Sequence, residues 1–260
     1  ILSLITLSIS LTHGMVVATF ARARGRPELL WVTVACLAAV GYSLSNIVHV
    51  TPTMANLVVP AGHVGVACAG LHIYASLRFA RGRKARLATR SALVVERVVL
   101  VAVLLALVPG LVYGAQPREA HYYPFLHTGY GAPDAAPMTP LFYLALAMGL
   151  MLAMRNVVSS ASSRSARVVL AAAYTVFGLT SLNDIVAGLQ LVTSPFIAQL
   201  GFVPVLIALA YDLGEHWGDE ARQLSELRER LGEGVADRTA ALARAHGELA
   251  HQERLVALGP

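Results

Sequence analysis

The sequence predicts an all-α membrane protein: a seven-transmembrane helix bundle followed by a long cytoplasmic coiled-coil helix. Three observations carry this. Hydrophobic residues make up 56% of the 260 and charged residues only 13%, about half the roughly 25% charge of a soluble domain. The mean hydropathy is +0.62. Seven apolar runs have the length that crosses a hydrocarbon core, and beyond Asp212 the composition switches to Glu, Arg, Ala and Leu with no proline before Pro260.

The runs are 1–20, 29–50, 54–77, 98–114, 138–154, 168–190 and 196–211. A crossing helix needs about 20 apolar residues, within roughly 17–25. Each must be helical, because lipid offers no partner to a free backbone group. Residues 1–213 are read as the bundle and 214–260 as the cytoplasmic helix.

Orientation follows from the links. Those after runs one, three and five hold Arg22, Arg24 and Arg26, then Arg78, Arg81, Arg83, Lys84, Arg86, Arg90 and Arg97, then Arg155, Arg164 and Arg167. The links after runs two, four and six hold only Arg118. Basic residues collect on the cytoplasmic side, which puts the N-terminus outside and the C-terminus inside. The net charge of +5 therefore belongs to anionic lipid headgroups and not to nucleic acid. Arginine outnumbers lysine 19 to 1, which points to a GC-rich bacterium and its inner membrane. Cys36 and Cys68 both lie inside apolar runs, so no disulfide framework organises the chain. No cleavable signal peptide is visible, and the opening Ile1 predicts a few preceding residues.

The link 115–137 carries His121, Tyr122, Tyr123, Phe125, His127 and Tyr130. Two readings stand: a lid over the bundle, or an aromatic belt at the headgroups. In the tail, apolar residues recur at Leu213, Trp217, Leu224, Leu227, Leu231, Val235, Leu242, Ala245, Leu249 and Val256. The steps are mostly three, four or their sum, the seam of a dimeric coiled coil. Leu224, Leu227, Leu231 and Val235 advance by three, four and four, a stutter that locally unwinds a supercoil. Gly232 and Gly234 weaken the helix beside it. At 1.5 Å per residue the rod spans on the order of 70 Å.

The tail reads V-A-D-R-T-A-A-L from Val235 to Leu242 and E-R-L-V-A-L-G from Glu253 to Gly259. This resembles the signalling helix that enters the dimerisation and phosphotransfer domain of bacterial sensor histidine kinases. In that family E-R-L-x-A-L-G opens the domain's first helix, and the phosphorylated histidine follows in an H-E-x-x-N-P setting. The seven-helix part is similar, in layout, to the membrane sensor region on many such kinases. The resemblance implies an input module that works as a homodimer, with ATP and a response regulator engaged by a kinase core beyond residue 260. Pro260 stands where the family continues the helix.

Polar residues within the spans are costly and mark function. Asp184 is the acidic residue deep in a run, about 9 Å below the outer end of run six by helical rise. Asn183 adjoins it; Tyr42, Asn46 and His49 share one face of run two, and His63 lies in the outer half of run three. These six are the candidate ligand site, with Asp184 paired to a histidine, for a small polar ligand, a proton or a metal ion. The competing reading is a hydrogen-bond cluster that only locks the helices. Ser3, Thr6, Ser10 and His13 form a polar stripe on run one, and Ala61, Gly65 and Ala69 a small-residue stripe on run three. His13, Cys36, Cys68 and His72 have the donor types of a soft metal site, and the two histidines those of haem ligands, although their spacing is generic.

A retinal Schiff base needs a lysine in the membrane, and the single lysine, Lys84, lies in a cytoplasmic link. A secondary transporter would show broken helices in matched halves. Pro60, Pro109 and Pro204 are placed to kink runs three, four and seven, but no repeat pairs them. The chain contains no catalytic set and requires no cofactor of its own. Two other readings stay open: the sensor of a membrane nucleotide cyclase, and a carrier or membrane enzyme using Asp184 and the histidines.

Overall fold

The computed structural model describes residues 2–84, 89–118, 121–123 and 128–257. Arg86, Phe125, His127 and the final Leu258 to Pro260 lie outside the described residues. The chain divides into two compact units, Ile1–Asp212 and Leu213–Pro260.

The first unit is helical: α1 (Leu2–Arg24), α2 (Pro27–His49), α3 (Val58–Arg83), α4 (Arg90–Ala106), α5 (Thr139–Ser160), α6 (Arg164–Gly188) and the start of α7 (Ala198–Ala257). Local chemistry sets the ends. Gly25 adopts φ 60, a left-handed turn open to glycine, and Pro27 starts α2 directly after it. This two-residue turn folds α1 back against α2. The side-chain oxygens of Thr89 and Ser163 accept from the amides of Ala92 and Ala166, capping α4 and α6. α2 packs on α1 and α3, α3 on α4 and α5, and α5 on α4 and α6.

The fourth helix differs from the run at 98–114. It begins a turn or more earlier, at Arg90, and stops at Ala106. The early start is possible because Glu96, which is buried, neutralises Arg78 and Arg81 of α3 at 3.3 and 2.8 Å. Beyond the helix come Pro109, which cannot donate to a helix, and Gly110 at φ 77. Pro109 therefore lies past a helix end rather than at a kink. Pro60 sits in the first turn of α3, where proline is tolerated, and Pro204 alone is helix-internal, in α7. The sixth helix closes at Gly188, two residues short of the run, so Asp184 is about one turn from its end.

The link after α4 contains strands that hydropathy did not foretell: β1 (Tyr113–Pro117), β2 (His121–Tyr123), β3 (Thr128–Tyr130) and β4 (Pro133–Ala135). β1 pairs antiparallel with β4, and β2 with β3 inside that pair. Strand pairing satisfies the link's own backbone groups, leaving its side chains to pack. Pro133 and Tyr113 press on Gly62 of α3, where an added Cβ would come within 2.6 Å of Pro133.

The bundle surface is apolar. Met15, Met151, Val168 and Leu179 are each about two-thirds exposed, far beyond the scattered apolar residues of a soluble surface. Among the described residues six helices are long and apolar enough to cross a membrane. α4, at 17 residues with Arg90, Glu96 and Arg97, is one residue shorter than that set allows. In the second unit, Leu224, Leu227, Leu231, Val235 and Leu242 are all more than half exposed along α7. Leu249 and Val256 belong to the same helix, their side chains outside those described.

Candidate functional site

Asp184, on α6, is 7% exposed. Its Oδ1 accepts from the amide of Ile197 at 2.6 Å and from Asn183 Nδ2 at 3.1 Å. Its Oδ2 accepts from the amide of Ala198 at 3.0 Å and from the Tyr42 hydroxyl of α2. Four donors thus surround one buried carboxylate, and two of them are the first free amides of α7. A helix start presents unpaired N–H groups and a partial positive charge, which suits a carboxylate. The expected Asp184–histidine pair is replaced by this cap; no histidine is among these partners.

The rest of α7's first turn is held from α2. Asn46 Nδ2 donates to Gln199 Oε1 at 3.3 Å, while Asn46 Oδ1 accepts from Tyr130 Oη of β3 at 3.0 Å. Tyr130 also stacks on His49, with centroids 5.4 Å apart, and the amide of Gly131 donates to the His49 carbonyl at 3.0 Å. The aromatic link therefore seals the end of α2, through a tyrosine that is 5% exposed.

Beneath this seal is a cavity of about 50 Å³. Tyr42, Asn46, His49 and Asp184 line it, with Ser45, Ala198 and an apolar floor that includes Ile73 and Phe177. Of the six candidate ligand residues, the structure brings these four to one cavity. His63 and Asn183 are not in its wall. His63 Nδ1 donates to the Ala106 carbonyl at 2.7 Å, closing the end of α4, and its ring meets Tyr113 edge-on. Asn183 braces the α6–α7 link, donating to the Pro195 carbonyl at 2.9 Å and accepting from Ser194 Oγ at 2.7 Å.

The metal candidates take packing roles. Among the described residues no three His, Cys, Asp or Glu converge on a common point. Cys36 fills the space over Gly14 of α1, and Cys68 that over Gly41 of α2, where an added Cβ would fall 3.0 and 2.5 Å away. His72 Nδ1 donates to the Ala35 carbonyl at 3.0 Å, and its ring lies between Phe177 and Phe202. A 50 Å³ cavity is also far below the roughly 300–1,000 Å³ of a cofactor-sized pocket. The small-residue stripe of α3 does bring helices close: Ser45 Oγ donates to the Ala61 carbonyl at 2.6 Å and lies over Gly65. Thr6 and Ser10 of the α1 stripe are buried.

Sequence reasoning missed a further buried carboxylate, this one on α7. Asp212 is wholly buried; it accepts from Arg83 at the end of α3 and, through Oδ1, from the amide and hydroxyl of Ser162 at 2.8 and 2.7 Å. Its place at the head of a charged tail hid it. Gln199 was missed as well, since a polar residue beside a helix start carries no spacing signal, and Tyr130 was singled out only as one aromatic of a lid or belt, without its bond to Asn46. Set against known proteins, the chain matches no family model, and no curated protein matches it.

Proposed function

We propose that the chain is the membrane input module of a bacterial two-component sensor histidine kinase. In this reading the bundle spans the inner membrane seven times, α4 included. The N-terminus and the strand-bearing link lie outside, and the arginine-rich ends of the helices sit among anionic lipids inside. The observation that carries the reading is that the cavity lined by Tyr42, Asn46, His49 and Asp184 is built against the first turn of α7, the helix whose later residues resemble a kinase signalling helix.

A ligand in the cavity would contact Tyr42 and Asn46, the groups that hold Asp184 and Gln199, or His49, whose ring stacks on Tyr130. Any change in those bonds alters how the start of α7 is held. Packed helices respond to such changes by moving between discrete arrangements. A coiled-coil homodimer with a stutter would pass such a shift to the kinase core, which uses ATP and phosphorylates a response regulator.

The test is the reading frame past codon 260. A helix bearing a phosphotransfer histidine, followed by an ATP-binding domain, supports the kinase. A stop codon, or a frame opening into a cyclase, overturns it.

A further inference from the structure

Where α5 ends and α6 begins, the two helices flank a cleft of about 460 Å³, within the roughly 300–1,000 Å³ of a ligand site. Its wall is Met154, Arg155, Val158 and Ser159 of α5 with Arg167 and Ala171 of α6. On each helix these residues recur four apart, so each contributes one continuous face.

The charge in the cleft is unbalanced. Arg155 and Arg167 are exposed, and neither has a carboxylate partner among the described residues. Arg78, Arg81 and Arg83 of α3 each have one. No Asp or Glu occurs between residues 154 and 171. Lys84 adds a third cation beside the wall, its Nζ donating to the Ser159 carbonyl at 2.7 Å. The start of α6 also runs against its own dipole: its first turn holds Arg164 and Arg167 and no acid. Cations at that end of a helix are unfavourable, and an anion placed there is favoured twice, by the dipole and by the arginines.

The apolar part of the cleft says what carries the anion. Met154, Val158 and Ala171 lie beside the arginines. Met151 and Met148, one and two turns from Arg155 on the same side of α5, are 66% and 43% exposed. A charged head site thus continues into a surface suited to an acyl chain. A soluble phosphate would use the arginines and leave that surface uncovered. A zwitterionic headgroup would bring an ammonium that finds no acid here. Basic pockets between helices at the cytoplasmic face suit anionic headgroups.

Building on the reading of these helix ends as the inner-leaflet side, we propose that the cleft binds one anionic phospholipid per chain, as a discrete site and not as part of the general attraction of basic ends. The phosphodiester sits between Arg155 and Arg167, and an acyl chain runs over Val158 and Ala171 toward Met151. The lipid ties together the two helices whose connecting turn carries Ser162, the residue bonded to Asp212 of α7.

The experiment releases the full chain from nanodiscs of mixed phosphatidylglycerol and phosphatidylethanolamine and counts retained lipids by native mass spectrometry. The expected result is one phosphatidylglycerol per chain, saturable, preferred roughly thirtyfold, the value of two arginines beside an anionic headgroup. Arg155→Gln with Arg167→Gln should remove the preference. Arg90→Gln with Arg97→Gln removes the same charge from exposed positions of α4 that line none of the described cavities, and should leave it unchanged. Ala171→Trp, which fills the cleft and keeps both arginines, should also lose the lipid. Equal losses in the two double variants would mean general surface charge and overturn the proposal. So would equal retention of phosphatidylethanolamine, retention by Ala171→Trp, or displacement of the lipid by millimolar inorganic phosphate, which would make the site one for soluble phosphate. Retention is read without any output. The lipid site therefore stands even if the frame past codon 260 removes the kinase, and a kinase stands if no lipid is retained.

Discussion

One carboxylate, Asp184, ties α2, α6 and the start of α7 together. Asp184→Asn keeps the shape but leaves one acceptor oxygen where two had taken four donors. The lost cap and charge at a helix start cost about 0.5–2 kcal/mol. The expected outcome is amide exchange at Ile197 and Ala198 faster by roughly tenfold, measured by hydrogen exchange in nanodiscs, with the bundle still inserted. Unchanged protection would show that the carboxylate does not hold α7. That Asp184 matters was legible, because a lone acid in an apolar run has few bland explanations. Its partners were not: backbone amides have no letter in the sequence, and helix rotation decides whether a histidine faces it. His63 shows the same limit, since nothing local in the sequence announces that its ring will close the end of α4.

At the scale of elements, α7 is gripped a second time, by Arg83 of α3 and Ser162 of the α5–α6 link, both bonded to Asp212. Removing one partner of a buried pair leaves an uncompensated charge and costs about 3–5 kcal/mol, whereas replacing both by apolar residues is often neutral. Arg83→Leu alone should therefore lower the thermal midpoint of the bundle strongly, and Arg83→Leu with Asp212→Leu should recover most of it. Equal losses in the single and double variants would mean that the pair is not coupled. Helix contacts give a further contrast. A Cβ at Gly201 would fall 2.6 Å from the Phe177 backbone, whereas one at Gly178 meets nothing within 4 Å. Gly201→Ala should destabilise by about 1–3 kcal/mol through overpacking, and Gly178→Ala should stabilise by roughly 0.5–1 kcal/mol through helix propensity. Both are read as shifts in unfolding midpoint, and matching signs would refute the close contact. Hydropathy located the helices well because lipid demands long apolar runs. It misplaced α4 because a charged residue ends a run on paper, while Glu96 with two arginines does not end a helix. It passed over β1–β4 because strands of three to five residues leave no periodic signal.

At the scale of the molecule, the second unit sets its own condition. Leu224, Leu227, Leu231 and Val235 stand on α7 more than half exposed, and a fully buried Leu or Val contributes about 1.5–3 kcal/mol. A helix with such a seam is stable in water when a second copy covers it. The pattern also says where two chains should touch: Leu224 and Leu227 on the seam, Glu229 on the opposite face. In a Cys36→Ala, Cys68→Ala background, Leu224→Cys should oxidise readily to a disulfide-linked dimer in nanodiscs, because seam positions bring Cβ atoms within bonding reach. Glu229→Cys should remain monomeric under the same oxidation. Leu227→Lys with Leu231→Lys should abolish the cross-link at residue 224 while leaving the unfolding midpoint of the bundle unchanged, since both residues belong to the second unit and stand exposed. Equal cross-linking at 224 and 229 would indicate chance collision, and the paired seam would be lost as the basis for signalling.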